Sequence, residues 1–213
     1  QDFRDGTAYE VFGRLGYEFS PLTSVFVETS YNERDYTGGL FDSDGYKIVG
    51  GLRYQFSVLT LGEFTAGYLH QDLSTPLQGD AIDTLTYRGS LHWQVTPLIA
   101  LAMIGSRDVG SPSMFDGAAN RMVSDVGVRA DYAIWRDLTL SAGLAYDWTE
   151  YLGTGRSGNR YRASLGAQYY LNIYTSLFAK YEYSEFDSRS SAAALAAFDY
   201  SRSIGIAGVR LRY

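Results

Sequence analysis

The chain has 213 residues, enough for one large domain or two small ones, and its 15% aromatic content excludes intrinsic disorder. It has no cysteine, which excludes a disulfide framework and a thiolate metal site, and its formal charge of −6 argues against a general nucleic-acid binder. No apolar run reaches the roughly 18 residues that a transmembrane helix needs.

A short turn-like segment recurs along the chain at intervals of 37, 39, 40 and 36 residues. A fixed period in this range predicts repeated supersecondary units. The five copies are Ser20-Pro21-Leu22-Thr23, Ser57-Val58-Leu59-Thr60, Thr96-Pro97-Leu98-Ile99, Arg136-Asp137-Leu138-Thr139 and Asn172-Ile173-Tyr174-Thr175.

The residues before each copy alternate with period two. Five such runs precede the five copies, and a sixth ends the chain at Tyr213. Together they place 34 residues on one face, and none of these is charged. About seven charged residues would be expected there without alternation, so the pattern indicates β-strands. With the partner strands that follow the turns, the predicted elements are strands at about 8–19, 23–34, 46–56, 59–71, 84–95, 98–107, 121–135, 138–150, 159–171, 175–186 and 199–213.

The opposite face of these strands is polar, and each of the six runs places at least one arginine there. Two interpretations stay open. The arginines form ion pairs that brace the interior, or they form a surface that selects anionic solutes. The arginines chosen are Arg14, Arg53, Arg88, Arg129, Arg162 and Arg210, and the acidic residues placed with them are Glu28, Glu63, Asp147 and Glu182.

Aromatic residues concentrate near both ends of the uncharged runs. Two aromatic girdles around an uncharged band are typical of a transmembrane β-barrel, whose outward face meets lipid. The competing interpretation is a soluble all-β domain in which the same residues form the core. The girdle residues predicted beside the short turns and at the C-terminus are Tyr17, Tyr54, Trp93, Tyr132, Tyr169 and Tyr213.

The last strand, Gly208 to Tyr213, alternates and stops at an aromatic residue, which resembles the C-terminal insertion signal of outer-membrane barrels. The whole chain resembles the outer-membrane β-barrel porin families of Gram-negative bacteria, in particular the β-barrel porin 2 type. The resemblance implies an antiparallel up-and-down barrel in the outer membrane, in contact with lipid and lipopolysaccharide and inserted by the barrel-assembly machinery. It implies passive or gated passage of small or anionic solutes, with a possible link to exopolysaccharide export.

The alternative function is a structural barrel that anchors or seals a larger envelope complex, and a homo-oligomer is compatible with either function. Neither interpretation needs a cofactor, a metal or a nucleic-acid partner. The remote alternative is a barrel enzyme that hydrolyses lipid or peptide, because Asp72 lies two residues from His70. The other histidine, His92, falls on the polar face and is expected to line the interior.

The strand count is odd, whereas bacterial single-chain barrels have an even number of strands. Residues 1–213 are therefore expected to form one barrel domain that is the C-terminal portion of a larger barrel. Gln1-Asp2-Phe3 supports this, because it is similar to Gln71-Asp72-Leu73 at the end of a predicted strand. A twelve-stranded barrel with one misassigned strand is the competing explanation.

Overall fold

A computed structural model describes residues 6–36, 42–73, 81–110, 121–151, 156–190 and 199–211. These residues form eleven β-strands: β1 (Gly6–Ser20), β2 (Thr23–Tyr36), β3 (Ser43–Ser57), β4 (Thr60–Leu73), β5 (Ile82–Thr96), β6 (Ile99–Gly110), β7 (Arg121–Trp135), β8 (Leu138–Tyr151), β9 (Arg156–Tyr170), β10 (Thr175–Ser190) and β11 (Tyr200–Leu211). Each predicted strand is confirmed, and most extend one to four residues farther toward the longer connections than the alternation indicated.

The strands form one antiparallel meander in which each strand pairs with the next along the chain. The recurrent segments are its short turns, and in four of the five a side-chain oxygen at or near the start of the turn accepts hydrogen bonds from backbone N–H groups that follow. Ser20 accepts from Leu22 at 3.2 Å, and Asn172 accepts from Tyr174 and Thr175 at 2.8 Å. The repeat in the sequence is therefore a repeat of turn chemistry.

The polar face of the sheet is concave. Lys47 of β3 lies 3.2 Å from Asp108 of β6, although three strand spacings, about 14 Å, separate those strands in a flat sheet. Arg14 of β1 likewise reaches Glu63 of β4 at 3.9 Å. Such contacts between non-neighbouring strands require the sheet to curl around this face, as it does in a barrel.

The opposite, convex face carries the apolar side chains, and these are exposed. Leu15, Leu144 and Leu165 are 81%, 63% and 63% exposed, and no side chain in the described ranges is fully buried. A soluble two-sheet domain would bury such rows between its sheets, so the alternative of a soluble domain is wrong. The described ranges contain no helix long and apolar enough to cross a membrane.

The described parts of β1 and β11 each pair with a single neighbour, so the sheet is not closed. The curl of the sheet and its antiparallel meander agree with the predicted up-and-down barrel fold. The prediction that the chain belongs to a larger barrel stays a prediction.

Candidate functional site: the concave polar face

The strand register assigns each side chain to one face, because residues paired across two strands point to the same side. Starting from Arg14 opposite Glu28, the pairing carries this face through all eleven strands. All ten predicted interior residues lie on it: Arg14, Arg53, Arg88, Arg129, Arg162, Arg210, Glu28, Glu63, Asp147 and Glu182. Their proposed roles in selectivity or bracing stay predictions.

Three of the predicted arginines form ion pairs. Arg14 lies between two carboxylates, 3.8 Å from Glu28 and 3.9 Å from Glu63, and its guanidinium also lies 3.5 Å from the centre of the Phe26 ring. Arg129 holds Asp131, two residues along the same strand, through Nε at 2.9 Å and Nη2 at 2.8 Å.

The third pair joins neighbouring strands. Arg162 of β9 donates to Asp147 of β8 at 2.7 Å, and the aspartate side chain is only 13% exposed. Arg14, Arg129 and Arg162 therefore have the geometry of bracing residues, since charge-assisted contacts of this kind fix side chains in place.

The other predicted arginines are differently placed. Arg53 and Arg88 make no ion pair with any residue in the described ranges, and Arg210 lies over the Phe178 ring, 5.6 Å from its centre. The remaining acidic residue, Glu182, pairs with Lys180 at 2.8 Å rather than with an arginine. The charges of Arg53, Arg88 and Arg210 are therefore not neutralised by a carboxylate of the described residues.

Apolar side chains also reach this face, which the alternation did not predict. Phe26 is buried against Gly51 of the adjacent strand, where a Cβ atom would collide with the ring. Phe178 lies over Gly208 and Phe186 over Gly158 in the same way. The glycines make room for interior rings, so the face is partly filled rather than wholly aqueous.

The turn end of the concave face holds a cavity of about 790 Å³. Its lining comes from strands as far apart as β1 and β7 and includes Glu18, Arg53, His92 and Asp131. His92 thus lies on the concave face, as its position on the polar face of its strand predicted.

The concave face is positively charged although the chain is negative. In the described strands it carries thirteen basic and nine acidic side chains, a net charge of +4, against −6 for the whole chain. The excess of acid lies elsewhere, including the loop ends of the convex face at Glu33, Asp44, Asp72 and Asp83. Charge is thus separated between the interior and the remaining surface.

The predicted aromatic girdle points outward beside the short turns. Tyr17 is 67% exposed and packs edge-on against Phe19 at 6.0 Å, and Tyr54 packs on Phe56 at 4.7 Å. Trp93, Tyr132 and Tyr169 share the convex face, and Tyr213 lies outside the described residues. An assignment of these rings to a membrane interface stays a prediction.

His70 is held between two carboxylates on the convex face. Its Nδ1 lies 2.6 Å from Asp83, its Nε2 lies 3.1 Å from Asp72, and Tyr68 donates to Asp83. Both ring nitrogens are therefore occupied, and neither is left to deprotonate a nucleophile, as a hydrolase needs. Within the described residues, no group of three or more His, Cys, Asp or Glu side chains is arranged to hold a metal ion.

Residues 1–213 match the family model described as "Putative beta-barrel porin 2". The chain belongs to this family. The resemblance read from the sequence is thereby confirmed, and the protein is a porin-like barrel of the outer membrane. Porin families are generally non-enzymatic.

Solved structures of outer-membrane proteins have a fold similar to that of this chain. The copper transporter OprC aligns with a TM-score of 0.58 at 10% identity, over 98% of this chain and 44% of its own. A loop L8 deletion mutant of OmpT, an outer-membrane protein of Vibrio cholerae, aligns with a TM-score of 0.51 at 13% identity, over 94% of this chain and 62% of its own. This chain therefore spans less than two thirds of either. At such identities the likeness concerns the fold alone. No curated protein matches the chain.

Several charged residues of the concave face were not among the ten site residues chosen from the sequence, including Arg202, Lys47 and Asp108. Arg202 lies on the concave face because it pairs with Ser184. Counting back in steps of two from Arg210 would have found it. Lys47 and Asp108 form their pair across the curl of the sheet, and nothing in the sequence signals a contact between positions 61 residues apart.

Proposed function

We propose that this porin passes small anionic solutes across the outer membrane. The observation that carries the proposal is the net charge of +4 on the concave face of a chain whose total charge is −6. A lumen lined by one sign of charge concentrates ions of the opposite sign, and low-dielectric walls strengthen the effect. Salt screens charges over about 8–10 Å, so only those lining the passage act on a solute inside it.

The charge available to a solute comes from arginines that are not neutralised by a carboxylate. Six arginines on the concave face make no ion pair with another described residue: Arg34, Arg53, Arg88, Arg160, Arg202 and Arg210. The paired residues Arg14, Arg129 and Arg162 serve instead to brace the wall. The bracing interpretation thus applies to the paired arginines, and the anion-selecting interpretation applies to the unpaired ones.

The test is the reversal potential of the complete protein in planar bilayers under a salt gradient. Replacing the six unpaired arginines by glutamine changes the net charge of the described concave face from +4 to −2, so anion preference is expected to turn into cation preference. The matched control is Arg107→Gln, because Arg107 lies on the convex face beside Glu150 and should leave selectivity unchanged.

Preserved anion preference in the sixfold variant would contradict the proposal. Liposome swelling tests the competing function. If the complete protein admits no small sugar or salt, a structural barrel that anchors or seals an envelope complex is favoured. A link to exopolysaccharide export, and contacts with partner proteins, rest on the family resemblance and stay predictions.

A further inference from the structure

The positive charge of the concave face is concentrated on its last three strands. On β9, β10 and β11 it carries six basic residues and one acidic residue, a net charge of +5. The other eight strands carry seven basic and eight acidic residues there, a net charge of −1. The interior is therefore electrostatically one-sided.

At the loop end of these strands, an arginine lies beside two stacked rings. Arg160, Phe186 and Tyr200 are register partners on β9, β10 and β11. The Arg160 guanidinium lies 5.5 Å from the centre of the Phe186 ring and 3.5 Å from the hydroxyl of Tyr200, and the two rings stack at 5.3 Å. The rings hold the guanidinium while leaving it without a carboxylate partner.

Two more unpaired arginines continue from this point toward the turn end. Arg202 lies two residues from Tyr200, and its guanidinium makes no ion pair or hydrogen bond with a described residue. Arg210 lies eight residues farther along β11, about 26 Å at the rise of a strand, with its guanidinium over the Phe178 ring. The one acidic residue that the described parts of these strands place on the concave face, Glu182, is already bound by Lys180 at 2.8 Å.

We propose that Arg160, Arg202 and Arg210, with the rings of Phe186, Tyr200 and Phe178, form a binding track for a multivalent organic anion. This inference rests on the proposed function and names the residues that determine which anionic solutes the passage prefers. Successive guanidinium groups bind successive carboxylates or phosphates. The aromatic rings contact the apolar part of the solute between its charges. A monovalent inorganic anion would use the same wall but would gain little from arginines so far apart.

The test is the block of potassium chloride current by a deca-L-glutamate peptide, about 33 Å long when extended, with acetate as the monovalent comparison. Removing three charges from the track in R160Q/R202Q/R210Q is expected to weaken block by the peptide by about tenfold or more, the equivalent of at least one charge-assisted hydrogen bond. Acetate should be affected much less. The matched control is R34Q/R53Q/R88Q, which removes the same charge from unpaired arginines of β2, β3 and β5 and should leave most of the block by the peptide.

Equal weakening of the block by deca-L-glutamate in the two triple variants would overturn the track and leave the proposed function standing. If both triple variants and the sixfold variant all keep their anion preference, the proposed function itself is overturned. Arg202→Gln alone breaks no ion pair or hydrogen bond of the described residues and removes only a longer-range attraction to Glu182, so it should weaken block by the peptide even if a triple variant folds poorly. An unchanged block in this variant would also count against the track.

Discussion

At the scale of single residues, the interior is organised by aromatic rings seated on glycines. Ser24-Val25-Phe26 and Ser176-Leu177-Phe178 are equivalent positions of the sequence repeat, and both phenylalanines lie over a glycine of the adjacent strand. The repeat thus preserves a packing unit as well as a turn. Pairing of a ring with a glycine on a neighbouring strand stabilises sheets, because the ring covers backbone that would otherwise lie bare.

The first prediction concerns Gly51. Gly51→Ala places a methyl group against the Phe26 ring, and the displacement of the ring should lower the free energy of unfolding by about 1–3 kcal/mol. Gly50→Ala is the control, since a Cβ there meets nothing within 4 Å. Urea unfolding of the protein in lipid vesicles measures both. Equal losses would show that the ring does not depend on this glycine.

At the scale of strands, the sequence determines the elements well because alternation is a local property. Charged and apolar residues separate in β1, β7 and β9, so their faces follow directly from parity. β6 alternates less clearly, and its register shows why: Ile104 faces inward opposite Gly127, while Arg107 faces outward near Glu150. An apolar residue can face inward wherever a glycine makes room, and a charge can face outward at the end of a strand. Both exceptions are set by neighbouring strands.

The second prediction concerns the uncharged convex band. Leu144→Arg, near the middle of β8, should destabilise the folded protein in a bilayer by about 2–4 kcal/mol, because hydrocarbon solvates a guanidinium poorly. Ser201→Arg, also outward but at the loop end and opposite Glu185, should cost no more than about 1 kcal/mol. Folding titrations in lipid vesicles compare the two. A similar cost at both positions would mean that the band does not face lipid.

At the scale of the whole molecule, curvature brings together residues that no local pattern connects. Arg14 with Glu63, and Lys47 with Asp108, link strands three positions apart. The class of fold and the side on which the six chosen arginines lie could be predicted, because both follow from parity. Which carboxylate neutralises an arginine could not, because it depends on side-chain geometry within and between strands, as for Arg162 with Asp147, and on the curl of the sheet for Arg14 with Glu63. The division between paired and unpaired arginines is therefore a finding of the structure, and the roles assigned to the two groups stay predictions.

The third prediction tests this long-range pair. Lys47→Asp should lower the free energy of unfolding by about 1–2 kcal/mol, since it sets two carboxylates against each other in a half-buried position. Adding Asp108→Lys should restore much of the loss. The control is Lys180, the other lysine of the chain, whose partner Glu182 lies on its own strand, so Asp108→Lys should not rescue Lys180→Asp. Absence of rescue at Lys47 would mean that the sheet curls differently.

The height of the uncharged stripe sets the kind of membrane in which the protein fits. Along β8 the stripe runs from Leu138 to Trp148, with Glu150 the next outward residue, a span of about 33 Å at the rise of a strand. A tilt near 40° reduces its vertical extent to about 25 Å, the height of the lipid-facing band in bacterial barrels. A thicker bilayer would have to be compressed around the protein, whereas the outer membrane is thinner than average. Hydrophobic mismatch would therefore disfavour its residence in other membranes.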